Sequence, residues 1–154
     1  MCNLFLKSVT NVTFVPNRLC YNQDDKECST GVNAILHIED TEQIQLFEWA
    51  ALQSGKYPEL ALLFHIPNGG KRDAREAARF KRMGVKPGVP DLFLPVPHGK
   101  FHGLFVELKS AKGKLSDNQK RWLQDLAMNG YAACVCFGFD EVKTGIIKYL
   151  EGKF

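Results

Sequence analysis

Gly88-Val89-Pro90-Asp91-Leu92-Phe93-Leu94-Pro95 and, eight residues further on, Gly103-Leu104-Phe105-Val106-Glu107-Leu108-Lys109 decide the fold of this chain. Asp91 to Val96 reads as one short strand and Gly103 to Lys109 as a second, each apolar and bounded by turn residues. The loop Pro97-His98-Gly99-Lys100 is short enough to join them as a hairpin. Side chains alternate across a strand, so Glu107 and Lys109 share one face while Val106 and Leu108 take the other. Asp91 precedes Glu107 by fifteen intervening residues, a spacing that fits the same hairpin. Mg²⁺ takes carboxylate oxygens and keeps several waters, so two acids with a main-chain carbonyl between them form half a coordination shell. A lysine beside it could position or help deprotonate water against a phosphodiester. A proline-aspartate turn and a solvated Glu-x-Lys ion pair are the plainer explanation. Charges closing apolar strands are costly unless they have partners or work, which favours a site.

Outward from the hairpin, the pattern becomes an alternation of helices and strands. Ile44, Phe47 and Ala51 recur at helical spacing and predict a helix over 40–53. Ala61-Leu62-Leu63-Phe64-His65-Ile66 predicts a strand, ended by Pro67-Asn68-Gly69-Gly70. A second helix is expected over 71–82, stopping at Gly84. Ser116-Asp117-Asn118-Gln119 is a capping box opening a helix packed through Trp122, Leu123, Leu126 and Ala127 and ended by Gly130. Ala132 to Phe137 is a buried strand and Glu141 to Leu150 a closing amphipathic helix. The expected class is α/β, a central mixed sheet flanked by helices, with the last strand parallel to its predecessor because a helix crosses between them. Residues 1–38 form an N-terminal extension without a clear pattern, apart from a possible strand at Asn11 to Pro16; residues 39–154 form the domain.

The 154 residues are enough for one domain with a real core. No apolar run reaches membrane-spanning length, and the start Met1-Cys2-Asn3-Leu4 has no basic leader, so a cytoplasmic protein is expected. The net charge of +3 decides little, but its distribution is informative: Lys71 to Arg82 holds six basic residues and Lys109 to Arg121 five. Five cysteines without CxxC spacing suit free thiols in a reducing compartment. Cys134 and Cys136 read as buried strand thiols. Cys2, Cys20 and Cys28 with His37 are a weaker zinc alternative.

Four motifs in order, Pro67-Asn68-Gly69-Gly70-Lys71-Arg72, Gly88-Val89-Pro90-Asp91, Glu107-Leu108-Lys109 and Leu115-Ser116-x-x-Gln119-x-x-Trp122, resemble the VRR-NUC family of the PD-(D/E)xK nucleases over about residues 39–150. The resemblance implies a restriction-endonuclease-like core and Mg²⁺- or Mn²⁺-dependent phosphodiester cleavage. Small stand-alone members of phage type imply further a homodimer acting on branched DNA such as four-way junctions, in the host cytoplasm if phage-encoded. Under the resemblance, Asp91 and Glu107 are metal ligands, with the Leu108 carbonyl completing the inner shell. Lys109 orients or activates the attacking water and stabilises phosphate charge. Gln119 matches a glutamine near the active centre, although the capping box explains it equally well. The family's first-helix acid, often followed four residues later by glutamine, falls on Glu39 with Gln43, while Glu42 and Glu48 compete. Glu48 lies near the expected apolar stripe.

Arg72, Arg75, Arg79 and Arg82 gather on one side of the second helix, where guanidinium groups suit phosphate oxygens. A solvated face laced by pairs such as Glu76 with Arg79 is the alternative. Asn68 and Lys71, at a glycine turn, either approach a phosphate or simply form the turn. Lys112 and Lys114 follow the site as candidate DNA contacts, and none of these residues reads bases. His65 is expected to be a packed histidine. A flap or duplex nuclease, or a DNA-binding module that no longer cuts, would use the same residues. No GxGxxG or GxxxxGK[ST] supports a nucleotide cofactor.

Overall fold

The computed structural model describes residues 33–67 and 74–154, with side chains from Thr41 in the first helix and from Arg75 in the second. Strand pairing organises the rest. Strands β1 (Phe64–His65), β2 (Leu92–Leu94), β3 (Leu104–Lys109) and β4 (Ala132–Phe137) form one sheet in the order β1-β2-β3-β4. The first two pairings are antiparallel and β3–β4 is parallel, as the helical crossover favours. The hairpin between β2 and β3 closes through a His98–Phe101 bridge.

Period-two alternation divides the strands between two helical layers. Leu92, Leu94, Leu104, Val106, Leu108, Cys134 and Cys136 are buried in a core with Leu46 and Ala50 of α1 (Asn33–Gln53) and Val142, Ile146 and Tyr149 of α4 (Phe139–Leu150). On the opposite face, α3 (Asp117–Met128) buries Leu123 and Leu126 against Ala133, with Phe105, Trp122 and Val135 around them. The result is a mixed α/β sheet flanked by helices on both faces, the restriction-endonuclease-like architecture expected. Tyr149 is held in the core by its hydroxyl, which donates to the Val96 carbonyl at 2.6 Å, and burial pushes its pKa up. Cys134 and Cys136 are free and buried, and their mutual hydrogen bond followed by burial pushes the Cys134 thiol well above its usual range. Among the described residues no helix is long and apolar enough to cross a membrane.

Three expectations shift. Residues 61–66 are not one strand: Pro58–Leu62 winds into a 3₁₀ turn and only Phe64–His65 pairs. Pro58 at the first helical position, with its preset φ, starts that turn and carries it past Ala61. The first helix begins well before residue 40, at Asn33. Its inward face is Leu46 and Ala50 with Phe47 beside them, whereas Ile44 is 60% exposed and Ala51 lies outside. The α2 helix (Ala74–Arg82) ends at Gly84, whose φ of 89° lets the chain reverse. The readings at Asn11 to Pro16, Cys2, Cys20 and Cys28, and the side chain of His37, lie outside the described residues.

Candidate active site

The site forms where β2 begins and β3 ends. Extending the β2–β3 register by one pair sets Asp91 opposite Glu107 on the face covered by α3. Extending it one further sets Pro90 opposite Leu108. An ordinary residue there would exchange two ladder bonds with Leu108, but proline has no N–H to give. Asp91 Oδ2 instead accepts the Leu108 N–H at 2.9 Å. The neighbouring Lys109 carbonyl is taken on the opposite side by the Gly138 N–H at 3.0 Å. Since N–H and C=O of a strand residue point the same way, the Leu108 carbonyl points to the β2 side, towards Asp91, with no ladder donor there. The proline-aspartate pair therefore does two things: it brings a carboxylate to the strand end and leaves a main-chain oxygen open beside it.

Edge strand β1 anchors the main chain of the same residue. The Ile66 N–H donates to the Asp91 carbonyl at 2.7 Å, and His65 Nδ1 lies 3.0 Å from that oxygen. His65 is half-buried and sits on the backbone of the site, as a packed histidine would.

Glu107 is fully buried, at 0% exposure. A carboxylate so placed needs charged or hydrogen-bonding company. Lys109 Nζ lies 2.7 Å from its Oε1, and the Gln119 amide donates to the same oxygen. Gln119 is thereby both the third residue of the capping box and a hydrogen-bond partner of Glu107. Its Oε1 accepts the Ser116 N–H at 2.8 Å and its own N–H reaches the Ser116 hydroxyl, completing the capping box. Its amide nitrogen is left for Glu107. One side chain thus ties the first turn of α3 to the carboxylate.

The first helix offers Glu42 and Glu48 among its described side chains. The side chain of Glu39 lies outside the described residues, and Glu48 is exposed rather than inward. Glu42 is half-buried, and a Cβ placed on Gly138 would stand 3.2 Å from its Oε1. Gly138 donates to Lys109, so Glu42 is the described acid of α1 that reaches the strand ends at the site. Helical phase alone could not select it, because Glu39, Asp40, Glu42 and Glu48 all lie within ten residues of one another.

Of the basic residues, Arg75, Arg79 and Arg82 are exposed along α2, and Lys112 and Lys114 are exposed on the loop between β3 and α3. Asn68, Lys71 and Arg72 lie outside the described residues.

Among the described residues, no three His, Cys, Asp or Glu side chains gather as a metal cage. The donor set nevertheless fits a hard cation that retains its waters: two carboxylates on adjacent strand positions and one main-chain carbonyl directed between them. Among the described residues, none of these three donors is the imidazole nitrogen or sulfur that a softer cation prefers.

The sequence model of the VRR-NUC domain family matches residues 37–140. A solved structure described as a VRR_NUC domain protein is 36% identical, with a TM-score of 0.64, covering 73% of this chain and 88% of its own. No curated protein matches.

Proposed function

This chain belongs to the VRR-NUC domain family of nucleases, and from that premise we infer a metal-dependent, structure-selective DNA endonuclease that hydrolyses phosphodiester bonds in branched DNA such as four-way junctions. The observation carrying this reading is the convergence of Asp91, Glu107, Lys109 and the Leu108 carbonyl at one strand end. Asp91, Glu107 and the Leu108 carbonyl would hold Mg²⁺ or Mn²⁺, which supplies water activation and charge neutralisation. Lys109 presents an ammonium beside that set, positioned to orient water and meet the negative charge that develops on phosphate. Gln119 keeps Glu107 in place, so the carboxylate need not reorganise when substrate enters. Of the acids on α1, Glu42 and Glu39 are the candidates for adding a further carboxylate, and among the described side chains Glu42 adjoins the strand ends.

The exposed arginines of α2 and the lysines after β3 suit phosphate contacts independent of base identity. Arg75→Glu together with Arg79→Glu should weaken DNA binding and lower the salt slope by about 2 if each arginine meets one phosphate. Fluorescence anisotropy across a salt series checks this. Unchanged affinity at low salt would place α2 away from DNA.

Symmetric cutting of a four-way junction needs two coordinated sites, which a two-fold homodimer supplies. Light scattering together with cleavage of labelled junction, flap and linear duplex, each with Mg²⁺, Mn²⁺ or EDTA, tests the whole reading. Symmetric junction cuts that vanish in EDTA are expected. Preference for flap or duplex would retain the nuclease and remove the junction assignment. Tight binding without cutting under either metal would leave a DNA-binding module.

A further inference from the structure

An aromatic row runs across the sheet beside the site, on the same face. Phe64 of β1 faces Phe93 of β2, which faces Phe105 of β3. Phe93 and Phe105 are stacked, with centroids 4.1 Å apart and planes 12° from parallel. Tyr131 closes one end edge-on to Phe105 at 5.4 Å. Phe64 closes the other end, edge-on to Phe93 at 5.7 Å. Gly103 belongs to this arrangement: a Cβ there would stand 2.9 Å from the Phe93 ring, so only glycine lets that ring lie flat against Phe105.

The inner rings are packed, but Phe64 is 46% exposed on a two-residue edge strand. Asp91 and Glu107 lie two residues along β2 and β3 from Phe93 and Phe105, about 7 Å at strand rise. The platform is therefore continuous with the catalytic carboxylates, and the chain carries exposed arginines and lysines suited to phosphates.

We propose that Phe64, backed by Phe93, is a stacking site for an unpaired nucleobase next to the scissile phosphate. This rests on the nuclease reading and deepens it, because it supplies a physical means of selecting branched over fully paired DNA. Every base has a π-face, so a ring that stacks on it reads the absence of pairing rather than sequence. A base held within a duplex cannot offer that face, whereas one at a branch or flap can. Phe93, immobilised between Phe105 and the space at Gly103, keeps Phe64 from folding into the sheet.

The test uses the full chain in EDTA, so that binding is read without cleavage. The probes are a flap and a four-way junction carrying 2-aminopurine at the first unpaired or branch-flanking nucleotide, and a linear duplex of equal length. Wild type is expected to quench 2-aminopurine in the branched probes. Phe64→Ala should lose that quench and bind branched DNA about tenfold more weakly, with duplex affinity nearly unchanged, while Phe64→Trp restores both. Phe64→Leu keeps the apolar volume without the ring, so it should behave as Phe64→Ala even if the alanine variant folds poorly. Quenching that survives in Phe64→Leu, or equal losses on branched and duplex DNA, would overturn the proposal. A change of oligomeric state in Phe64→Leu by light scattering would overturn it too, identifying the patch as a contact between copies. If wild type cuts in Mg²⁺ yet Phe64→Leu matches it in every binding measurement, stacking falls and the nuclease stands. If wild type neither binds nor cuts any probe, both fall.

Discussion

Asp91→Ala is expected to lower metal-dependent cleavage by roughly a thousandfold or more, the scale on which loss of a preorganised charge at a reacting centre is felt. Alanine removes a proposed metal ligand and also the acceptor of the Leu108 N–H. The second loss leaves a buried donor unsatisfied, at a cost of about 1–3 kcal/mol, so the alanine variant alone would confound ligation with stability. Asp91→Asn separates them. Its amide oxygen can still accept the Leu108 N–H, while the charge that attracts the cation is gone. The asparagine variant should melt close to wild type in EDTA and still be inactive. It should also lose the rise in melting temperature expected of wild type in Mg²⁺ or Mn²⁺, since a ligand stabilises only the state that binds it. Near-wild-type rates in Asp91→Asn would remove Asp91 from the metal site.

Gly88→Ala should have the largest structural effect of a single methyl group. Gly88 has a φ of 83°, and a Cβ there would lie 2.7 Å from Asn118 Cβ, 2.8 Å from the Asn118 carbonyl carbon and 2.9 Å from Gln119 N. Two of these atoms are helix backbone and cannot rotate away. Left-handed strain costs about 1–2 kcal/mol for a non-glycine residue. Overpacking adds about 1–3 kcal/mol. The combined loss of about 2–5 kcal/mol corresponds to a melting temperature lower by roughly 4–20 °C for a chain of this size. The relief available is a shift of the first turn of α3, which carries Gln119 away from Glu107 and strains the bond from Trp122 Nε1 to the Pro87 carbonyl at 3.1 Å. Cleavage should therefore fall along with stability, although Gly88 touches neither metal nor DNA in the proposed mechanism. Thermal melting and cleavage rates below the new melting point check both effects. Unchanged melting would mean that the loop and helix do not pack as tightly as the structure has them.

The features legible in the chain are those set by short-range geometry. Alternation along Leu104–Lys109 places Glu107 and Lys109 on one face wherever the strand sits, and the Ser116–Gln119 box caps α3 by itself. A helix between β3 and β4 favours their parallel pairing, and the proline-aspartate pair marks the strand start. Other features depend on what lies across the fold. The inward face of α1 is Leu46 and Ala50 because α4 and the sheet meet it there, and a helix with apolar residues on several sides cannot state that choice alone. Glu42 adjoins the strand ends only because Gly138 leaves room beside it. Gln119 joins its cap to Glu107 because Gly88 admits the first turn of α3 so closely. The aromatic row exists only once three antiparallel strands bring Phe64, Phe93 and Phe105, distant in sequence, into one register. Periodicity and caps are interactions within a few residues, so the sequence by itself determined them. Helix phase, the choice among equivalent acids and the contacts across layers are decided by which surfaces pack together, and that is a property of the assembled tertiary structure.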